Sequence, residues 1–244
     1  MIGKILSSLK NKERKLLYFL FFISISFFSG QTLSQKVFDP FVDQSKSKVL
    51  VYKIESKDTV LDKKILRLEY NSNFFLSNQQ TLMYDYCNSY DECKGSFQKV
   101  VGDKVLTTHY EVTGFTKKSN SLWLHSPRAD YFGILELNAF PYYMTDKNKW
   151  DYSLSFGKDW IDRLHLKFDG FLLTVSSQYE KNGEVFYTIG NEKISCIEIK
   201  AKTNIPQIGD TETIFYYNEK YGFVKMIFST ISKNKLEFNL IEVL

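Results

Sequence analysis

Proline is scarce in this chain, with 4 residues in 244, and glycine numbers only 12. Low-complexity sequence, which is rich in both, is thereby excluded. No repeat of fixed period runs through the chain, which removes repeat architectures. The motifs G-x-S-x-G, G-x-x-x-x-G-K, G-x-G-x-x-G and H-E-x-x-H are all missing. No stretch of 12 residues with a clear 3.6-residue period follows the N-terminal segment. A parallel sheet with crossover helices is therefore not expected.

Charge of one sign is also lacking once the N-terminus is set apart. The chain holds 32 basic and 28 acidic residues. Residues 1–34 contain five of the basic ones (Lys4, Lys10, Lys12, Arg14, Lys15) and a single acidic one, Glu13. The remainder carries 27 of each sign and is net neutral. The basic pI belongs to the leader. A nucleic-acid binder shows a clustered basic surface, and Lys46-Ser-Lys48, Lys63-Lys64 and Lys117-Lys118 are isolated pairs. No nucleic-acid partner is expected.

What the N-terminus does have is a basic stretch, an apolar run from Leu16 to Phe28, and then Ser29-Gly-Gln-Thr-Leu-Ser-Gln35. That is the layout of a secretory signal peptide. A run of 13 residues falls short of the roughly 20 that a membrane helix needs. Cleavage after Ser34 has small residues at both required positions, Thr32 and Ser34; cleavage after Gly30 sets bulky Phe28 at the outer one. The reading is a signal peptide over 1–34, a flexible lead-in over 35–47 and one β-rich domain over 48–244. No stable membrane span is expected after cleavage, and the address is periplasmic or secreted. The alternative is an uncleaved anchor.

Beyond residue 48, strand patterns follow one another. Leu50, Tyr52 and Ile54 alternate with Lys53 and Glu55, and Leu66, Leu68 and Tyr70 alternate with Arg67 and Glu69. Phe74–Tyr86 reads as a longer strand, and Leu106, Thr108, Tyr110 and Val112 as the dry row of another. Pro127–Pro141 lacks alternation and is either a short helix, to which Gly133 costs about 1 kcal/mol, or an irregular crossing segment. Gly157–Trp160 reads as a turn. Leu164, Leu166 and Phe168 form a strand row, with Asp169-Gly170 and Asn182-Gly183 as hairpin turns. Ile197, Ile199 and Ala201 are one strand face, with Cys196 opposite. The chain closes with Val224, Met226 and Phe228 facing Leu236, Phe238 and Leu240. Turn signals every 8–12 residues or so fit an antiparallel barrel or sandwich. The expected fold is mainly β, an antiparallel curved sheet or incomplete barrel with little helix after the signal segment.

Some strands are apolar on both faces, as in Val49 and Val51 beside Leu50 and Tyr52. Either a segment covers the second face or that face lines a cavity. The histidines, His109, His125 and His165, fall on mixed rows without ligand spacing, so neither metal nor cofactor is expected. Cys87 and Cys93 bracket a small polar loop and are the disulfide candidates in an exported chain. Cys196 is left over as a buried thiol. Aromatics make up 16%, enough for a ring-lined surface: Tyr142, Tyr143, Trp150, Tyr152 and Trp160 are the candidate ligand-contacting residues, or else a core of large rings.

His125-Ser-Pro-Arg128, Leu135-Glu-Leu-Asn-Ala-Phe-Pro141, Trp150 with Trp160, Gly190 with Cys196, and Tyr221-Gly-Phe-Val-Lys225 carry a resemblance over residues 120–244 or so. In that order they resemble a group of uncharacterised exported bacterial proteins. These are in turn loosely similar to the open half-barrel of periplasmic lipoprotein carriers, from which this chain departs in lacking several clear helices. The resemblance implies a curved antiparallel sheet around an inner segment, with an apolar cleft. The functional expectation is non-catalytic binding of an apolar, lipid-like molecule or a cell-envelope protein on the concave face. A hydrolase with carboxylates in the cleft and a purely structural module are the alternatives.

Overall fold

A computed structural model describes residues 48–56, 61, 64–74, 78–94, 98–101, 104–107, 110–127, 133–163 and 166–244. Residues 1–47, read above as signal and lead-in segments, lie outside them, as do residues 57–60, His109, Leu164 and His165. Among the described residues, strands dominate: β1 (Lys48–Ser56), β2 (Ile65–Phe74), β3 (Gln80–Cys87), β4 (Gln98–Val101), β5 (Lys104–Thr107), β6 (Tyr110–Lys118), β7 (Ser121–Leu124), β8 (Tyr142–Met144), β9 (Lys149–Gly157), β10 (Leu172–Ile189), β11 (Glu192–Ile205), β12 (Gly209–Asn218), β13 (Gly222–Ser229) and β14 (Lys235–Val243). Two short α-helices, α1 (Tyr90–Lys94) and α2 (Lys158–Arg163), and a 3-10 turn at Gly133–Leu137 complete the set.

Twelve strands form one antiparallel sheet, curled into a half-barrel, in the order β8-β7-β6-β3-β2-β1-β14-β13-β12-β11-β10-β9. β4 and β5 make a separate ribbon. The order has a consequence for the site. β1 and β14 meet in the middle, while β8 and β9, consecutive in sequence, become the two opposite edges.

Alternation dictates which side chains face inward. Leu50, Tyr52 and Ile54 join Leu66, Leu68, Phe215, Phe228 and Phe238 in the main core. The second faces of β1 and β2 are covered rather than hollow. Val49, Val51 and Ile65 pack with Cys87 and Cys93, against the partly buried Tyr90 and Ile241. Cys87 ends β3, Cys93 lies on α1, and a disulfide joins them. Arg67 reaches the same place and donates from Nη1 to the Cys93 carbonyl at 3.1 Å.

Several local expectations need correction. Asn182-Gly183 is not a hairpin turn. β10 runs straight through it for 18 residues, and the register against β11 shifts between Lys181 and Glu184. The pair is a bulge, made possible by Gly183 at φ +104°, a value that disfavours a side chain. The turn lies further on, at Gly190-Asn191, between Ile189 and its partner Glu192. Across from the bulge the inward phase of β11 slips. Cys196 therefore faces the main core with Ile194 and Ile199, not away from Ile199. Leu166 to Asp169 is not strand, so Asp169-Gly170 leads into β10 without closing a hairpin; Gly157 ends β9 and residues 158–160 open α2. The row Leu106–Val112 is divided between β5 and β6, and Val112 is 40% exposed. Phe74–Tyr86 likewise divides, with β2 ending at Phe74 and β3 starting at Gln80.

Residues 133–141 are the crossing segment that the broken alternation allowed for. Leu135, Leu137, Ala139 and Phe140 are buried. An irregular buried segment must find partners for its polar groups. Strands β12 and β13 supply them: Asn138 Nδ2 donates to the Glu212 carbonyl at 3.2 Å, Thr213 Oγ1 at 3.2 Å and the Ser229 carbonyl at 3.0 Å. Thr211 Oγ1 donates to the Leu137 carbonyl at 3.1 Å. Threonines at inward positions of β12 thus serve the segment that crosses them.

Candidate functional site: an aromatic seam between the sheet edges

Only residues 145–148 separate β8 from β9, and rings bridge the two edges. The Tyr142 ring, on β8, lies 6.0 Å from Trp150 and 5.6 Å from Tyr152, both on β9, and 5.8 Å from Tyr179 on β10. Trp123, from β7, lies 5.9 Å from Tyr152 and 5.5 Å from Phe140 of the crossing segment. His125 sits 4.8 Å from Phe140. Strand alternation accounts for the β9 contribution, since Trp150 and Tyr152 are two residues apart and share a face. Register accounts for Tyr179, which is directly opposite Trp150.

The five proposed ligand residues are distributed unequally. Tyr142, Trp150 and Tyr152 come together here. Tyr143, the next residue along, stacks instead on Tyr217 at 3.8 Å with planes 15° apart, under the Lys181 ammonium at 5.1 Å. Trp160 is on α2, half-buried, and its neighbour Ile161 belongs to a different cluster, with Leu137, Leu173, Val175 and Ile205. Trp150 and Tyr143 are buried and serve the core. Tyr142 and Tyr152 are half-buried. Trp123, His125, Phe140 and Tyr179 join the seam, and spacing could not have found them. Trp123 and Tyr179 lie on strands β7 and β10 while His125 and Phe140 lie on none, so no single period links the four.

Polar groups fringe the rings. Burial, followed by the charge of Asp146, raises the Tyr142 hydroxyl above its ordinary pKa. Burial, then Tyr142, does the same for Tyr152. Both remain neutral donors at physiological pH. The indole Nε1 atoms of Trp123 and Trp150 are buried with no hydrogen-bond partner. His125 Nδ1 lies 2.9 Å from the Ser126 carbonyl oxygen. The seam therefore offers flat apolar faces with neutral donors at the margin. Such a surface stacks and buries apolar groups.

Elsewhere, a depression on the outer face is lined by Ser176, Gln178, Lys202, Asn204, Asp210 and Glu212 and is polar throughout its rim. Among the described residues no cluster of three His, Cys, Asp or Glu side chains is arranged to hold a metal. No helix among them is long and apolar enough to cross a membrane.

No family model and no curated protein matches the chain. Solved structures similar to the chain at low identity include the following three. One, described as an exported protein with a YmcC-like fold from Bacteroides fragilis, is 11% identical with a TM-score of 0.43, covering 81% of this chain and 95% of that one. Another, described as a lipoprotein from Parabacteroides distasonis, is 13% identical with a TM-score of 0.42, covering 85% and 98%. The hypothetical lipoprotein YmcC from Escherichia coli is 11% identical with a TM-score of 0.34, covering 90% and 93%.

Proposed function

We propose that this is an exported, non-catalytic cell-envelope protein that binds an apolar, lipid-like ligand at the aromatic seam. Export is supported by the leader-like N-terminus and by the Cys87–Cys93 disulfide, a bond that persists in oxidising compartments. Binding is supported by one observation above the rest: the half-buried Tyr142 and Tyr152 rings meet edge to face across the two edges of the sheet, with which no further described strand pairs. A gap between unpaired edges widens at less cost than a closed barrel wall. The crossing segment occupies the concave face beside it, so the ligand lies along the seam and does not fill a deep interior. Native mass spectrometry of the protein isolated from its own envelope tests this. A co-purifying acyl compound that is lost in Tyr142→Ala/Tyr152→Ala supports the reading, and an empty wild-type protein counts against it.

The packed crossing segment, with Asn138 clamped to β12 and β13, favours a second reading, a structural envelope module. That reading expects the seam variants to alter stability and leave no binding to lose.

A further inference from the structure

The free edge of β9 has a chemistry of its own, independent of the ligand reading. Lys181 N–H donates to the Asn148 carbonyl at 2.9 Å, and β10 continues this pairing with Glu180 opposite Lys149. In an antiparallel ladder hydrogen-bonded pairs alternate with non-bonded ones. Residues 148, 150, 152, 154 and 156 therefore direct their backbone groups at β10. Lys149, Asp151, Ser153, Ser155 and Gly157 direct theirs away from it. These residues are exposed, and a Cβ added at Gly157 meets nothing within 4 Å. The Ser153 and Ser155 hydroxyls are tied back to Ser176 and Thr174 at 3.1 Å each, so they do not cap the edge. Tyr142 meets Trp150 and Tyr152 on the inward row and leaves this outer rim open.

Natural edges are guarded by lysine, proline or bulges. From Tyr152 to Gly157 this edge has none of them, and its pairing with β10 runs without a register shift. We infer that β9 pairs antiparallel with β9 of a second copy of this chain, about a two-fold axis at Ser153. Outward-directed backbone groups must meet their like, which confines the register to axes on a residue. An axis at Asp151 sets two carboxylates face to face, and like charges directly opposite are destabilising. The axis at Ser153 alone uses all nine residues. It sets Lys149 against Gly157 and Asp151 against Ser155 of the other copy, with no like charges opposed. On the inward row it sets Tyr152 against Leu154 and Trp150 against Phe156, which opposes no charged side chain. A self-complementary patch of this kind is what a two-fold dimer requires.

The test is made on the full exported chain by sedimentation equilibrium. The wild type is expected to dimerise. Ser153→Lys and Ser153→Asp alone are each expected to weaken the dimer at least tenfold, and their mixture to restore it. Ser153→Cys, whose Cα atoms would lie about 5.5 Å apart across the axis, is expected to cross-link under oxidation, and Ser155→Cys is not. The cysteine pair also decides the matter where a charged variant fails to fold. A wild type monomeric at all concentrations, a dimer indifferent to Ser153→Lys, or equal cross-linking from both cysteine variants overturns the inference.

Discussion

Trp150 and Tyr179 stack with ring centroids 5.4 Å apart and planes 8° from parallel, while the Tyr179 hydroxyl donates to the Phe140 carbonyl at 2.9 Å. One tyrosine thus joins β9, β10 and the crossing segment. Tyr179→Phe keeps the stack and loses the bond, so it is expected to cost about 1–2 kcal/mol. Trp150→Ala removes a buried ring and is expected to cost about 3–5 kcal/mol. Urea denaturation midpoints of the two variants check both numbers and their order.

Asn138 holds the crossing segment through its amide nitrogen. Asn138→Asp replaces that donor with a carboxylate aimed at the Glu212 and Ser229 carbonyls. It is expected to be worse than Asn138→Ala, which costs about 2–3 kcal/mol by stranding the acceptors. Comparing the two variants by thermal melting separates this from simple loss of volume, which predicts the reverse order.

Of the three cysteines, only Cys196 carries a free thiol among the described residues. It is buried, and burial pushes its thiol up to about 11. Alkylation under native conditions is expected to label nothing, and under denaturing, non-reducing conditions to label Cys196 alone. Cys87→Ser/Cys93→Ser is expected to cost about 2 kcal/mol, the loop-closure value for so short a loop. Mass mapping and denaturation measure the two effects.

Much of the fold was legible because its signal is local. Period-two alternation in Leu50–Ile54, Leu66–Tyr70 and Leu236–Leu240 reports a strand without knowledge of its neighbours. Asn182-Gly183 misled because the same dipeptide serves a tight turn and a bulge, and only the partner strand decides between them. Gly190-Asn191 is the real reversal, since Ile189 and Glu192 pair around it. The seam was half legible for a related reason. Trp150 and Tyr152 share a face by spacing alone. Their meeting with Tyr142 depends on a strand order that sends neighbouring segments to opposite edges; Tyr143 is drawn to Tyr217, and Trp160 stands on α2, past the end of β9.

Alkali is expected to unfold the protein through its tyrosines. Burial raises the hydroxyls of Tyr52, Tyr70, Tyr179 and Tyr217 well above their ordinary value near 10, and that of Tyr187 to about 12. A group raised in the folded state keeps its proton while the unfolded chain loses it. The associated stability is complete below pH 10 and is lost as pH rises through the folded values. Lys48 acts oppositely: burial, with Lys220 nearby, lowers it to about 8, so stability gains a little between pH 8 and 10.5. Denaturation midpoints are expected to hold or rise slightly to pH 10 and then fall steeply. Flat midpoints beyond pH 11 or so contradict the burial of these hydroxyls.

The most direct measurement is a tryptophan-fluorescence titration of the protein with lauric acid, since Trp123 and Trp150 both belong to the seam. A saturable change in the wild type, abolished in Tyr142→Ala/Tyr152→Ala while the melting transition stays cooperative, is the result expected. A folded wild type whose emission shows no saturable response, or a response that survives the double substitution, contradicts binding at the seam.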